Sequence, residues 1–204
     1  EGLGDLRGVK HLFRDGGPQI DSFIAIDGGS TSRLIYGGIG SHRYRVTVRG
    51  PGGHSWGAFG LANPHQALGR MIENFVATAP AITNKGPKTS YSIGRIGGGT
   101  SINSIPFESW MEVDMRSGDQ SKLDDVDAIF KQAIMDGLNE ENTARRDGPE
   151  LTVDIDQVGK RPAGMSDPKS ALVQRAVAAM QALLRAPVPR QQMPTFRFRL
   201  VYLL

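Results

Sequence analysis

Apolar residues recur along this chain with two alternating periods, and their order lays out a sequence of elements. Tyr44, Val46 and Val48 alternate with Arg43, Arg45, Thr47 and Arg49, the two-residue period of a strand covered on one face. Behind Asn63-Pro64, a favoured helix start, Ala67, Leu68, Met71, Ile72, Phe75 and Val76 form one helical stripe. Thr89 to Ile96 reads as a second strand and Phe107 to Arg116 as a third. In the third, Met111, Val113 and Met115 point one way, and Glu108, Glu112, Asp114 and Arg116 the other. Between these two strands stand Gly97, Gly98 and Gly99. Glycine loses the most backbone entropy on ordering and offers no side chain to pack, so the run predicts a turn joining an antiparallel pair. Leu123, Val126, Phe130, Ala133, Ile134 and Leu138 then predict a second helix, and Leu151, Val153 and Ile155 a fourth strand. The order βαββαβ is an α/β, ferredoxin-like plan: a four-stranded sheet with two helices on one face. Its open edges are able to pair with a second copy.

The flanks read differently. Leu6, Val9, Leu12 and Phe13 have helical spacing, ended by Gly16-Gly17-Pro18. Ser22 to Ile26 is a continuous apolar run, predicting a short strand covered on both faces in a parallel sheet and closing in Asp27. Ligands gather at the carboxyl ends of such strands. Ser30 to Gly40 is rich in Gly and Ser, as suits a hinge. Pro168 opens a helix carrying Ala171, Leu172, Val177, Ala178, Leu183 and Leu184, and beyond Pro187 neither period is present.

Composition narrows the chemistry. The 204 residues carry a formal charge of +3 without a block of like charge, and the strand faces lack paired aromatics, so no nucleic-acid partner is expected. No apolar run is long enough to cross a membrane, and the cytoplasm is the default location. With no cysteine, any zinc must sit among His, Asp and Glu. The first residue is Glu, with no leader behind it, and the chain is expected to begin inside a longer polypeptide.

Three separated motifs, Glu1-Gly2, Gly52-Gly53-His54-Ser55 and Gly98-Gly99-Thr100 followed by Asn103 and Arg116, resemble the zinc-dependent exopeptidase and deacylase family. Its members include peptidase T, carboxypeptidase G, acetylornithine deacetylase and succinyl-diaminopimelate desuccinylase. The resemblance implies part of a catalytic domain over 1–40, a complete dimerisation or lid domain over 41–160 and a return helix of the catalytic domain over 161–186. It also implies that the tail, 187–204, is out of frame. Codons compatible with Gln191 to Arg199, read from each third base, can encode Ala-Asp-Ala-Asn-Val-Pro-Ile-Ser, which is like a catalytic-domain segment of the family. The whole enzyme would use two zinc ions about 3.5–4 Å apart to activate a shared water against a peptide or N-acyl amino acid.

On that resemblance Glu1 and Asp27 match metal ligands, while the general base, a Glu, would precede Glu1. His54 matches a residue that reaches from one subunit's lid into the other subunit's active site and polarises the scissile carbonyl. Asn103 matches a substrate contact, and Arg116 the arginine that holds a substrate carboxylate in its planar fork. Plainer readings stand beside these. Glu1 suits a helix N-terminus and Asp27 a turn; Asn103 suits a turn cap, and Arg116 a pair with Asp114. His11, His42 and His65 have no motif support and read as surface or helix residues. The expectation is a homodimer in which His54, Asn103 and Arg116 face one cleft, on a chain inactive by itself. The competing class is a self-associating module with no catalysis.

Overall fold

The computed structural model describes residues 5–25, 34–184 and 190–191. In chain order the elements are α1 (Arg7–Leu12), β1 (Leu34–Ile35), β2 (Gly37–Gly38), β3 (Gly40–Arg49), β4 (Gly53–His54), α2 (Pro64–Thr78) and α3 (Pro80–Thr83). There follow β5 (Thr89–Gly98), β6 (Ser104–Ile105), β7 (Glu108–Ser117), α4 (Gln120–Ala144), β8 (Thr152–Arg161), β9 (Gly164–Met165), α5 (Ala171–Leu184) and β10 (Arg190–Gln191). The four long strands form one antiparallel sheet in the order β5-β7-β3-β8. That is the ferredoxin-like arrangement, with the first and third strands of the βαββαβ unit in the centre.

Alternation drives the packing. Along β7 every second residue from Ser109 to Ser117 is buried, and Val46 of β3 sits opposite Met111 of β7 and Ile155 of β8. Tyr44, Val46, Val48, Met111, Val113 and Met115 thus line one face, onto which Met71 and Phe75 of α2 and Leu123, Phe130 and Ile134 of α4 pack. Phe75 and Phe130 meet edge to face at 5.1 Å, a geometry that aromatic rings favour. Asn63 caps α2, its side chain accepting from the His65 N–H at 2.9 Å. Buried Glu141 of α4 ties that cap down by accepting from the Asn63 N–H and from Arg70 Nε, each at 3.0 Å.

The opposite face is a ladder of charge. Arg43 pairs with Asp114, Arg45 and Arg95 with Glu112, and Arg49 with Glu108. Arg45 also lies over the Trp110 ring at 4.0 Å. Outside the sheet, β2 and β9 pair antiparallel, and Val173 and Val177 of α5 pack with Tyr36 in a small second cluster.

Two expectations are corrected. Residues 22–25 form no strand, and Ile24 is 50% exposed. A strand covered on both faces needs paired neighbours, and among the described residues this run has none. The glycine run is also not itself the turn. Gly97 and Gly98 end β5, where a Cβ at Gly97 would stand 2.5 Å from the Trp110 ring, so the bare backbone is what lets that ring approach the strand so closely. The chain leaves the strand only at Gly99, whose φ of 75° lies in the left-handed region that glycine tolerates.

Candidate functional site

The segments after β3 and β5 meet at one end of the sheet. There β4 and β6 pair antiparallel, with Gly53 opposite Ile105 and His54 opposite Ser104. The approach to β4 depends on Gly52, at φ 64°, where a Cβ would come within 2.5 Å of the Phe107 ring. His54 is exposed, and its Nδ1 accepts from the backbone N–H groups of Trp56 at 3.3 Å and Gly57 at 3.4 Å. With Nδ1 accepting, the proton of the neutral ring sits on Nε2, leaving an N–H donor on the outer edge of the imidazole. The Ser55 N–H donates to the Asn103 carbonyl at 2.9 Å, bringing Asn103 beside His54. Ser101 Oγ donates to Asn103 Oδ1, so the donor end of that amide is Nδ2. Two hydrogen-bond donors, His54 Nε2 and Asn103 Nδ2, therefore belong to one exposed patch.

Arg116 is not part of it. In the register of the central strands, Arg49 at the His54 end faces Glu108, whereas Arg116 faces Ser41. The eight-residue separation from Glu108 to Arg116 corresponds to about 26 Å at the rise of an extended strand. A cleft shared by all three residues within one chain is ruled out by the length of β7. Arg116 sits on the charged face, its Nε donating to Asp114 Oδ2 at 2.6 Å, while Arg43 Nε takes Asp114 Oδ1 at 2.7 Å. Glu1 and Asp27 lie outside the described residues. Among the described residues there is no group of three or more His, Cys, Asp or Glu able to hold a metal ion, so these residues by themselves do not fit a two-metal centre.

Two histidines without motif support are engaged in ways their sequence neighbours did not signal. His65, in the first turn of α2, bonds through Nδ1 to buried Ser109 Oγ at 2.7 Å, and a Cβ at Gly99 would stand 2.9 Å from its Nε2. It braces the start of the segment that carries Asn103. His42 is buried on β3, not on the surface, with Nδ1 3.0 Å from Asp127 Oδ1. Asp127 Oδ2 also accepts from Lys131 at 2.7 Å. Burial alone would raise the Asp127 pKa, but hydrogen bonds from Lys131, Tyr44 and His42 outweigh it and hold the carboxyl below its usual value. Burial, helped by the neighbouring Asp127, pushes the Tyr44 hydroxyl up to about 12. Contacts 44 and 85 residues apart in sequence leave no local pattern to read.

A family model described as the peptidase dimerisation domain matches residues 36–142, just over half the chain. No curated protein matches. Solved structures share the fold. AtUAH in complex with glyoxylate is 18% identical with a TM-score of 0.62, over 80% of this chain and 37% of that one. A hydantoinase/carbamoylase-family amidase from Burkholderia vietnamiensis is 16% identical with a TM-score of 0.61, over 94% of this chain and 39% of that one. The aminopeptidase PepT from Bacillus cereus is 19% identical with a TM-score of 0.59, over 83% of this chain and 42% of that one. The chain therefore spans about two-fifths of the length of these structures. Among the described residues no helix is long and apolar enough to cross a membrane.

Proposed function

Because this chain belongs to the peptidase dimerisation domain family, we propose that it is the lid of a zinc-dependent amide hydrolase acting as a homodimer. Each active site takes Arg116 from one chain and His54 with Asn103 from the other. The observation that supports this reading is the separation just described: the His54 and Asn103 donors at one end of the sheet and Arg116 at the other. One chain cannot bring them together, and two chains related by a two-fold axis can.

The substrate is an N-acyl amino acid or small peptide. Arg116 holds its carboxylate, while His54 Nε2–H and Asn103 Nδ2 donate to the scissile carbonyl oxygen. Donors aimed at that oxygen are worth most as charge develops on it. Hydrolysis breaks the amide C–N bond. The hydroxyl of water ends on the acyl carbon and its proton on the leaving amine. Zinc, when bound by Glu1, Asp27 and ligands from the remainder of the enzyme, would supply an activated water. The exposed edge strand β5, with Ser90, Ser92 and Gly94 open to solvent, offers a surface for pairing with the second copy.

The test is complementation in the full-length enzyme. His54→Ala and Arg116→Ala homodimers are each expected to lose roughly 100-fold or more in kcat, on the scale of a lost oxyanion donor. Dissociated together and reassociated, half of the dimers formed at random are mixed. Each mixed dimer has one site with both wild-type residues, so roughly a quarter of wild-type activity returns. No recovery, with mixed dimers demonstrated by native mass spectrometry, would show that the site is not shared.

A further inference from the structure

The segment that carries Asn103 puts nothing of its own into the core: residues 98–103 are all exposed. It leaves β5 through Gly98 and Gly99, at φ 127° and 75°, where the lack of a Cβ leaves the backbone many directions to take. A contact from outside the segment has to select one. At this end His65 makes it. Its Nδ1 is held by Ser109 Oγ at 2.7 Å, and Ser109 is fully buried on the central strand β7, opposite Gly98. The far edge of the ring meets the loop, since a Cβ at Gly99 would stand 2.9 Å from Nε2. The imidazole is thus wedged between strand and loop.

Helix α2 gives that wedge a fixed base. His65 follows buried Pro64 in the first turn, its N–H on the Asn63 side chain at 2.9 Å, and the Asn63 N–H is on Glu141 of α4 at 3.0 Å. At the other end of the segment the Ser55 N–H holds the Asn103 carbonyl, and Ser101 Oγ holds the Asn103 amide oxygen. Resting on the function proposed above, we propose that His65, held by Ser109, is a positioning residue. It fixes the course of residues 98–103 so that Asn103 Nδ2 and the His54 ring meet the same carbonyl oxygen. His65 itself touches neither substrate nor the reacting atoms. Its effect belongs to the transition state, where charge develops on that oxygen and a displacement of about 1 Å can cost roughly 100-fold in rate. Carboxylate binding by Arg116, at the opposite end of β7, is left alone.

The experiment measures kcat and KM of the full-length enzyme on N-acetylmethionine and on the dipeptide alanylalanine, in wild-type and Asn103→Ala backgrounds. In the wild-type background His65→Ala is expected to lower kcat by roughly tenfold or more with KM within about twofold. Ser109→Ala is expected to act in the same direction, and the double variant to fall no more than about twofold below the weaker single one, because the two side chains work as a unit. Ser109→Ala leaves the helix start intact and keeps the inference testable if His65→Ala does not fold. In the Asn103→Ala background, already slow, neither change is expected to lower kcat by more than about twofold. An equal loss in both backgrounds overturns the inference, since His65 would then support the fold without acting through Asn103; so does a His65→Ala enzyme with wild-type kcat. Both results leave the proposed hydrolase intact. An Asn103→Ala enzyme as fast as the wild type removes the carbonyl contact proposed for Asn103, and this inference with it. Wild-type enzyme that hydrolyses neither compound nor any other N-acyl amino acid or peptide removes the proposed reaction altogether.

Discussion

Gly137 sits in the middle of α4, where helix propensity alone favours alanine by about 1 kcal/mol. The structure sets a larger opposing effect against this. An alanine Cβ at that position would stand 2.5 Å from the Met71 backbone nitrogen and 2.8 Å from its Cα. Those are main-chain atoms of α2, so relief requires the two helices to move apart across a core that includes Phe75, Phe130 and Ile134. Overpacking of a well-filled core costs about 1–3 kcal/mol, and a clash with backbone belongs at the upper end. Gly137→Ala is therefore expected to destabilise the chain by about 2 kcal/mol after the propensity gain is subtracted. At roughly 2–4 °C per kcal/mol for a chain of this size, the melting temperature falls by about 4–8 °C. Gly69 supplies the control. It lies in α2 with nothing within 4 Å of a would-be Cβ, so Gly69→Ala meets no clash and is expected to gain about 0.5–1 kcal/mol. Urea unfolding of both variants, with the slope checked for constancy, measures the pair. A Gly137→Ala chain as stable as the wild type, with Gly69→Ala stabilised as expected, would refute the claim that α2 and α4 touch through their backbones.

Three further outcomes follow from the polar groups packed against the sheet. A carboxyl held below its unfolded value adds stability that is present above about pH 3.9 and disappears as pH falls through the folded pKa. Asp127 is such a group, so Asp127→Asn is expected to flatten the acid limb of the urea midpoint plotted against pH; an unchanged limb counts against the cluster. The Tyr44 hydroxyl, raised to about 12, contributes below the unfolded value of about 10 and is lost above it, so Tyr44→Phe should flatten the alkaline limb. Glu141→Ala strands the Asn63 N–H and leaves the Arg70 guanidinium only its longer pair with Glu140 at 3.8 Å, and is expected to cost about 1–3 kcal/mol. A change below about 0.5 kcal/mol in the same unfolding assay, the size ordinary at surface positions, would mean that the α2 cap does not depend on it.

The fold was legible because its elements carry their own periods. Met111, Val113 and Met115 alternate whatever lies across from them, Asn63-Pro64 marks a helix start locally, and the βαββαβ order leaves few ways to bury one face of each strand. His54 and Asn103 were legible as motif residues. Their joining through Ser55 was not, since that hydrogen bond spans 48 residues of chain. Arg116 was already legible at the far end of the third strand, but only tertiary structure decided what lies beside it, Ser41 opposite Arg116 and Arg49 opposite Glu108 at the other end, because strand register, not residue type, sets which side chains meet along a sheet. The same holds for buried His42 and for His65 against Ser109, whose partners are brought near only when the helices settle on the sheet. Sequence determines which residues are able to donate, accept or be buried; the packed chain determines which of them meet, since long-range contacts have no repeating signature along the polymer.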